Sequence, residues 1–161
     1  STTPQDSADT SGSGTAGVFN TGIESDAESI SSSSGDEAEG IVPGSQEDLI
    51  VNVGDRVFFS YDSAELDEDA QELLHDQAAW LKQHNKSSIT IEGHCDERGT
   101  REYNLALGER RANAVKDYLM TYGISGSKLS VISYGKERPV NSGSSPLAWS
   151  QNRRSVTVKA N

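Results

Sequence analysis

Apolar and polar positions alternate along much of the chain after its first 47 residues, and this alternation predicts β-strands. Between 87 and 94, for example, Ile89 and Ile91 alternate with polar neighbours, as expected for a half-buried strand. Other short runs are rich in β-branched and aromatic residues and are bounded by Gly, Asp or Ser. The predicted strands are 49–53, 56–62, 87–94, 128–135 and 155–160.

Two longer segments instead repeat apolar residues with helical spacing, and they predict helices over 63–85 and about 101–122. Thr100 has the side chain of a helix N-cap, and Gly123 is the type of residue that ends a helix. The segment 137–154 reads as a loop with one helical turn after Pro146. The apolar stripe of the first helix is formed by Leu66, Ala70, Leu73, Leu74, Gln77 and Leu81.

The predicted order is β-β-α-β-α-β-β, with two amphipathic helices. The strands alternate instead of being apolar throughout, so one face of the sheet is expected to stay partly wet. This pattern predicts an α/β (α+β) fold: a two-layer sandwich with two main helices on one face of a single mixed sheet. A doubly wound sheet would require continuous apolar strands, which the sequence does not contain.

Residues 1–47 are rich in Ser, Gly, Asp and Glu and have little apolar surface to offset the entropy of ordering. We expect a disordered acidic linker there and one folded domain over 48–161. A flexible chain of that length has an r.m.s. span of about 35–40 Å, which suits a tether. A solubilising tail without a spatial role is the alternative.

Charge is unevenly distributed. The net charge is −11, and residues 1–53 contain ten acidic residues but no Lys or Arg, so the remainder is close to neutral. Such a chain lacks the basic surface that nucleic-acid binding requires. No apolar run is long enough for a transmembrane helix, and nothing indicates a cofactor.

The segment 93–119 contains the most informative group of side chains. If Thr100 caps the helix, Asn104, Leu107 and Arg111 form one stripe along it, and Asp96 in the preceding turn can face the same stripe. An anion, a cation, an amide and an apolar contact would then share a small surface. That combination suits a ligand end carrying both an ammonium and a carboxylate. The alternative is structural, with Arg111 closing a salt bridge to Asp96.

Enzymatic and metal-binding readings are weaker. Cys95 lies between His94 and Asp96, but successive residues of an extended chain point to opposite faces, so a Cys–His pair is not expected. Cys95 is better read as a small packed residue. His75 and His84 are on opposite sides of their predicted helix and cannot share an ion, so we expect neither a catalytic nor a metal site.

These residues also carry a family resemblance, which covers roughly residues 50–161. The chain resembles the OmpA-like C-terminal peptidoglycan-binding domain, and within that family most resembles the peptidoglycan-associated lipoproteins. The latter likeness rests on FFSYDSAEL at 58–66, GHCDERGTREYN at 93–104 and the acidic leader. The wider motif comprises Gly93 to Asp96, Gly99, Tyr103-Asn104, Leu107, Arg110 to Ala112, Ala114-Val115, Gly135 and Asn152 to Arg154.

The resemblance implies a role for each matching residue. Asp96 matches the aspartate that binds the ammonium of meso-diaminopimelate in the peptidoglycan stem peptide, and Arg111 matches the arginine that binds its carboxylate. The other matching contacts are Thr100, Asn104, Leu107, Tyr61 and Asp62. Two positions depart from the usual family form, since Cys95 stands where Thr is frequent and Tyr61 where Phe is usual.

Other motif residues are expected to be structural. We assign Asn152, Arg153 and Arg154 mainly to holding the late loop and the end of the sheet. Trp80 and Trp149 are expected to pack, although stacking on sugars is the alternative.

The resemblance implies a non-enzymatic anchor that holds peptidoglycan noncovalently at the periplasmic side of the outer membrane. It also implies a role in the Tol-Pal system of envelope integrity and cell division, with TolB as partner. A lipid anchor on a cysteine just before Ser1 is a further expectation. The alternatives are a peptidoglycan hydrolase, or an OmpA-like anchor domain cut from a larger membrane protein.

Overall fold

The computed structural model describes residues 40–84 and 88–160, and it shows three substantial helices and four strands within them. A short turn of helix over Gln46–Asp48 precedes a π-helical turn over Leu49–Val53, and a 3₁₀ turn over Gly126–Lys128 precedes the strand Leu129–Gly135. Most of the predicted linker, residues 1–39, lies outside the described residues. The elements are α1 (Gln46–Asp48), β1 (Arg56–Phe58), α2 (Glu68–Gln83), β2 (Ser88–His94), α3 (Arg101–Thr121), β3 (Leu129–Gly135), α4 (Pro146–Asn152) and β4 (Arg154–Ala160).

The four strands form one mixed sheet in the order β1-β4-β2-β3. β4 is antiparallel to both β1 and β2, whereas β2 and β3 are parallel and are connected through α3. α3 packs on β2 and β3, and α2 packs on α3 and β1. The predicted sandwich of two main helices on a mixed sheet is therefore confirmed.

The core lies between these helices and the sheet. Its fully buried members come from both main helices and from the sheet: Leu74 lies on α2, Ile91 on β2 and Leu119 on α3. Burial of such side chains contributes about 1.5–3 kcal/mol each. This packing fixes the end of β2 beside the start of α3, where Asp96 and Arg111 were predicted to meet.

The predicted strand over 49–53 is wrong. These residues form the π-helical turn, with Leu49 fully buried and Val51 exposed. A second strand is not needed at that edge of β4, because other groups bond its backbone there. Thr157 N donates to the carbonyl of Asp55 (2.7 Å), and Lys159 N donates to the side-chain oxygen of Gln46 (2.7 Å).

The order of elements is consequently β-α-β-α-β-α-β after the first helical turns. The strand predicted over 56–62 is confined to β1, and α2 begins at Glu68, five residues later than predicted, because the side chain of Asp67 caps Ala70 N at 2.8 Å. Gln46 and the N-cap Ser45, at the end of the predicted linker, belong to α1. The Thr100 cap, the end of α3 before Gly123 and the helix after Pro146 are confirmed.

Candidate functional site

A narrow pocket of about 50 Å³ lies where the chain leaves β2, enters α3 and passes the loop after β1. It brings together six of the seven predicted binding residues, and Thr100 is the exception. Cys95, Arg98, Gly99 and Tyr103 also line it, although none of them was predicted as a site residue. The six predicted residues in its wall are Tyr61, Asp62, Asp96, Asn104, Leu107 and Arg111.

Asp96 is buried in the turn after β2, and its side chain is held by two arginines. Arg98 donates to both carboxylate oxygens, from Nε to Oδ1 (3.2 Å) and from Nη2 to Oδ2 (2.8 Å). Its backbone N–H adds a bond to Oδ1 (3.0 Å), and Arg153 Nη1 approaches Oδ2 (3.3 Å). Burial acts to raise the pKa of Asp96, but the Arg98 bonds, with help from Arg153, outweigh it and hold the pKa below its ordinary value. Asp96 is therefore an anion at neutral pH.

Arg111 projects from the middle of α3 and is only 1% exposed. It does not close the salt bridge to Asp96 that sequence reasoning had left open. Its guanidinium instead donates to three backbone carbonyls, from Nε to Ser63 (2.8 Å), from Nη1 to His94 (2.9 Å) and from Nη2 to Ser60 (3.1 Å). Burial lowers the pKa of Arg111. These bonds use three of the five N–H donors of a guanidinium, and the group forms part of the pocket wall.

Asn104 and Thr100 shape the turn between β2 and α3. Asn104 is 3% exposed and donates through Nδ2 to the carbonyls of Arg98 (2.9 Å) and Thr100 (3.0 Å). Thr100 accepts from the backbone N–H of Tyr103 (3.1 Å) as the helix N-cap. Asn104 thus holds the turn and reaches the pocket, whereas the Thr100 side chain is occupied in capping.

The loop after β1 forms the opposite wall. Asp62 has a positive φ of 54° and accepts a hydrogen bond from the hydroxyl of Tyr103, which anchors the loop to the first turn of α3. Tyr61, beside it, is 61% exposed. This loop also carries Ser60 and Ser63, whose carbonyls accept hydrogen bonds from Arg111, so the position of the Arg111 guanidinium depends on the loop.

Arg98 is the main site residue that sequence reasoning missed. Its guanidinium lies over two aromatic rings, 4.1 Å from the centroid of Tyr61 and 4.0 Å from that of Trp149. Trp149 in turn donates through Nε1 to Glu97 (2.7 Å). One signal was present, because an Asp side chain in a turn commonly bonds the backbone two residues further on, which places residue 98 beside Asp96. Arg153, expected to be structural, is 57 positions from Asp96 and gave no comparable signal.

Cys95 and His94 do not form a catalytic pair. The Cys95 thiol is buried and donates to the carbonyl of Asn104 (3.3 Å), while His94 Nε2 lies 2.9 Å from Glu92. Burial raises the pKa of the Cys95 thiol, which disfavours the reactive thiolate. Cys95 thus links the end of β2 to the first turn of α3. Among the described residues, no group of three or more His, Cys, Asp or Glu is placed to hold a metal ion.

A larger cavity of about 230 Å³ lies between the end of α2 and the loop after α3. Leu81, Ile89 and Ile124 form much of its wall, together with Lys82 and Lys128. None of its described lining residues is acidic, so it offers no partner for an ammonium group. The smaller pocket is the better candidate for a zwitterionic ligand.

A comparison with models of protein families identifies the family to which the part of the chain around the pocket belongs. The model described as the OmpA family matches residues 58–153, which include every pocket residue. The chain belongs to the OmpA family. The resemblance inferred from the motif residues is therefore confirmed, and the pocket lies within the OmpA-family part of the chain.

Individual relatives carry a more specific name. The chain is 59% identical over 116 residues to the peptidoglycan-associated lipoprotein of Rhizobium meliloti, a match that covers 72% of this chain and 66% of that protein. The corresponding protein of Brucella melitensis is 57% identical, with 72% of this chain and 69% of that protein covered. The chain thus spans about two thirds of the length of these relatives.

A solved structure agrees in fold. The crystal structure of the peptidoglycan-associated lipoprotein from Burkholderia pseudomallei superposes with a TM-score of 0.64 at 42% identity. The match covers 66% of this chain and 90% of that one. In the part of this chain that the structure describes, no helix is both long and apolar enough to cross a membrane.

Proposed function

We propose that this chain anchors the outer membrane to peptidoglycan noncovalently, by binding the meso-diaminopimelate residue of the stem peptide in the pocket around Asp96. The observation that carries this proposal is the pairing of an anionic Asp96 with a buried Arg111 in the wall of one small pocket. An ammonium would bind Asp96, and the N–H groups of Arg111 not used by the loop carbonyls would bind the carboxylate. The names of the relatives support peptidoglycan as the ligand.

The pocket also explains a preference for a ligand with both charges. A stem peptide that lacks the ammonium would form no ion pair with Asp96, and one that lacks the carboxylate would form none with Arg111, so each would bind more weakly. Asn104, Leu107, Tyr61 and Asp62 would contribute hydrogen bonding and apolar contact around the two charges. Thr100 would act indirectly, by fixing the start of α3.

Sedimentation with purified sacculi tests the proposal. The wild-type chain should sediment with sacculi that contain diaminopimelate, and Asp96→Asn should remain in the supernatant, because the amide has nearly the size of the carboxylate but lacks its charge. Glu137→Gln, at an exposed acid that pairs with Arg101 outside the pocket, is the matched control and should sediment like the wild type. Equal sedimentation of Asp96→Asn, with folding verified by circular dichroism, would reject this site.

An anchor releases nothing from its ligand, and we propose that this protein is not an enzyme. A hydrolase acting on peptidoglycan is the second candidate class, and it predicts soluble muropeptides after incubation with sacculi. We expect chromatography of the supernatant to show no such release. The bonded, buried thiol of Cys95 supports this expectation, because it is poorly suited to nucleophilic attack.

We further propose that the acidic segment before α1 is a flexible linker to a lipid anchor at the N-terminus of the native protein, which would place the folded domain that begins with α1 in the periplasm. Relatives named lipoproteins support this arrangement. Mass spectrometry of the native protein is the measurement, and an unmodified N-terminus would contradict it.

Membership of the Tol-Pal system, with TolB as partner, is proposed on the same family grounds. If TolB binds over the pocket, it and peptidoglycan exclude each other. A competition experiment in which TolB and sacculi bind simultaneously would contradict that overlap.

A further inference from the structure

The carboxylate of Asp96 has no acceptor position left for a ligand. A carboxylate offers about four lone-pair sites. In this structure four N–H groups use them, three from Arg98 and one from Arg153. An incoming ammonium therefore cannot simply add to Asp96, and at least one of these bonds has to break first.

Of these donors, the Arg98 side chain is the one free to leave. The Arg98 backbone is fixed, because its carbonyl accepts from Asn104. Arg153 is 16% exposed in its side chain and also donates through Nε to the carbonyl of Phe59 (2.8 Å). The Arg98 side chain is 33% exposed, and its guanidinium donates hydrogen bonds to Asp96.

The two aromatic rings determine how Arg98 can exchange partners. The guanidinium lies over Tyr61 and Trp149, at 4.1 and 4.0 Å from their centroids. Its Nε and Nη2 groups still donate hydrogen bonds in this arrangement, at present to Asp96. A carboxylate is the group that fits two such donors, through two parallel bonds. Arg98 can therefore replace the carboxylate of Asp96 by a carboxylate of the ligand while it retains aromatic contact.

We propose that Arg98 is a specificity-determining residue that occupies Asp96 in the free protein and transfers to the carboxylate of the bound zwitterion. This inference rests on the proposed function and extends it. Before binding, the Asp96 carboxylate pairs with the Arg98 guanidinium. After binding, the ligand ammonium pairs with Asp96, and the ligand carboxylate pairs with Arg98 in addition to the N–H groups of Arg111, so a ligand with both poles replaces every pair that it breaks.

A ligand with an ammonium alone breaks the same pair and leaves Arg98 without an acceptor. Arg98 thus penalises lysine-type stems and tolerates diaminopimelate-type stems. The prediction concerns the ratio of two affinities, which a general loss of stability does not change. Removing Arg98 should lower the ratio of the affinity for the diaminopimelate-type stem to that for the lysine-type stem at least about ten-fold, equivalent to about 1.4 kcal/mol.

Calorimetric titration of the full chain with two synthetic tripeptides tests this. The probes are L-Ala-γ-D-Glu-meso-diaminopimelate and L-Ala-γ-D-Glu-L-Lys, which differ only by the carboxylate on the side-chain carbon that carries the ammonium. The wild type should prefer the first, and Arg98→Ala should show a smaller preference, with the lysine peptide binding at least as tightly as it binds the wild type. Arg101→Ala is the matched control, since this exposed arginine pairs with Glu137 outside the pocket and should keep the wild-type ratio.

Arg98→Gln provides a second variant, with a similar length and no charge, and thermal melts establish that each variant is folded. A change of less than about ten-fold in the affinity ratio, or a parallel loss for both peptides, overturns the role of Arg98 and leaves the proposed function standing. If the wild type binds neither the diaminopimelate peptide nor sacculi, the proposed function fails and this inference fails with it.

Discussion

Gly93 on β2 and Gly108 on α3 hold the sheet and the helix in direct backbone contact. A Cβ atom placed on Gly93 would lie 1.7 Å from the carbonyl oxygen of Gly108, a distance that no relaxation of a side chain can relieve. Gly108 is similarly enclosed, because a Cβ there would meet the Ser133 hydroxyl at 2.3 Å. The close approach fixes α3 against the end of β2, and so fixes Arg111 relative to Asp96.

Gly93→Ala should therefore lower the free energy of unfolding by about 3 kcal/mol or more, because helix and sheet must separate to admit the methyl group. Urea unfolding followed by circular dichroism measures the change. Gly40→Ala is the control, since a Cβ at Gly40 has no described atom within 4 Å. Equal midpoints for the two variants would contradict the backbone contact.

Arg111→Ala should destabilise the domain by about 3 kcal/mol or more, in addition to any loss of ligand binding. It would remove this donor from the carbonyls of Ser63 and His94, at about 1–3 kcal/mol for each group that stays buried, while the exposed Ser60 would keep the bond from the Ser63 N–H (3.3 Å). Loss of sacculus binding by this variant is thus not specific evidence for a ligand contact. Arg110→Ala, at the exposed neighbouring arginine, is the control for urea unfolding, and a similar midpoint for both variants would contradict this role of Arg111.

Trp80→Phe should cost about 1.5–3 kcal/mol, because it removes a hydrogen bond to a charged group while it keeps an aromatic ring in the core. Trp80 Nε1 donates to Asp48 Oδ2 at 2.9 Å. Asp48 also accepts from the backbone of Gly44 (2.8 Å) and from Asn52 (2.7 Å), and these bonds, that of Gly44 foremost, lower its pKa. Urea unfolding at neutral pH gives the change, and an unaltered midpoint would contradict it.

The same variant simplifies the test of Arg98. The sequence has two tryptophans, so Trp80→Phe leaves Trp149 as the only one. Trp149 stacks on Arg98, and its fluorescence should change when the diaminopimelate peptide binds. Trp149 emission that is unaltered at saturating peptide would contradict movement of Arg98.

His94 should make the domain less stable as the pH falls below about 6.5, the value for an unfolded histidine. Its ring is 2% exposed in its side chain, Nε2 pairs with Glu92, and Nδ1 has no partner among the described residues. Burial lowers its pKa most strongly, Arg154 and Arg56 act in the same direction, and Glu92 opposes them. Burial also lowers the pKa of Arg154, to about 10, so that residue remains cationic beside His94.

Because the folded-state pKa of His94 is lowered, the unfolded chain binds the proton first, and stability present above about pH 6.5 is lost on acidification. The slope from one such group is at most about 1.4 kcal/mol per pH unit. His94→Gln should therefore lose less stability than the wild type between about pH 7 and about pH 5.5 in urea unfolding. Equal losses would contradict the prediction. The lowered pKa of Glu92 affects stability only in a more acidic range, since the ordinary pKa of a glutamate is 4.5.

Local signals in the sequence were sufficient where the interactions are local. The Thr100 side chain caps α3 through a residue three positions away, and Gly123 follows the helix with a φ of 95°. Such contacts depend on neighbouring residues alone, so the bounds of α3 could be predicted. The strand prediction over 49–53 failed because β-propensity measures how well side chains pack in a paired, half-buried strand. This run has no partner strand, so its propensity does not decide its structure.

The sequence by itself determined the stripe of Asn104, Leu107 and Arg111 on α3 and its position beside Asp96, because helical spacing and a cap follow from nearby residues. Tertiary structure alone decided which groups those side chains bind. Arg111 bonds the loop after β1 from 48 and 51 positions away, and Arg153 reaches Asp96 from 57 positions away. These pairings follow from packing of the sheet against α3, which brings distant carbonyls and charges together in a partly buried space.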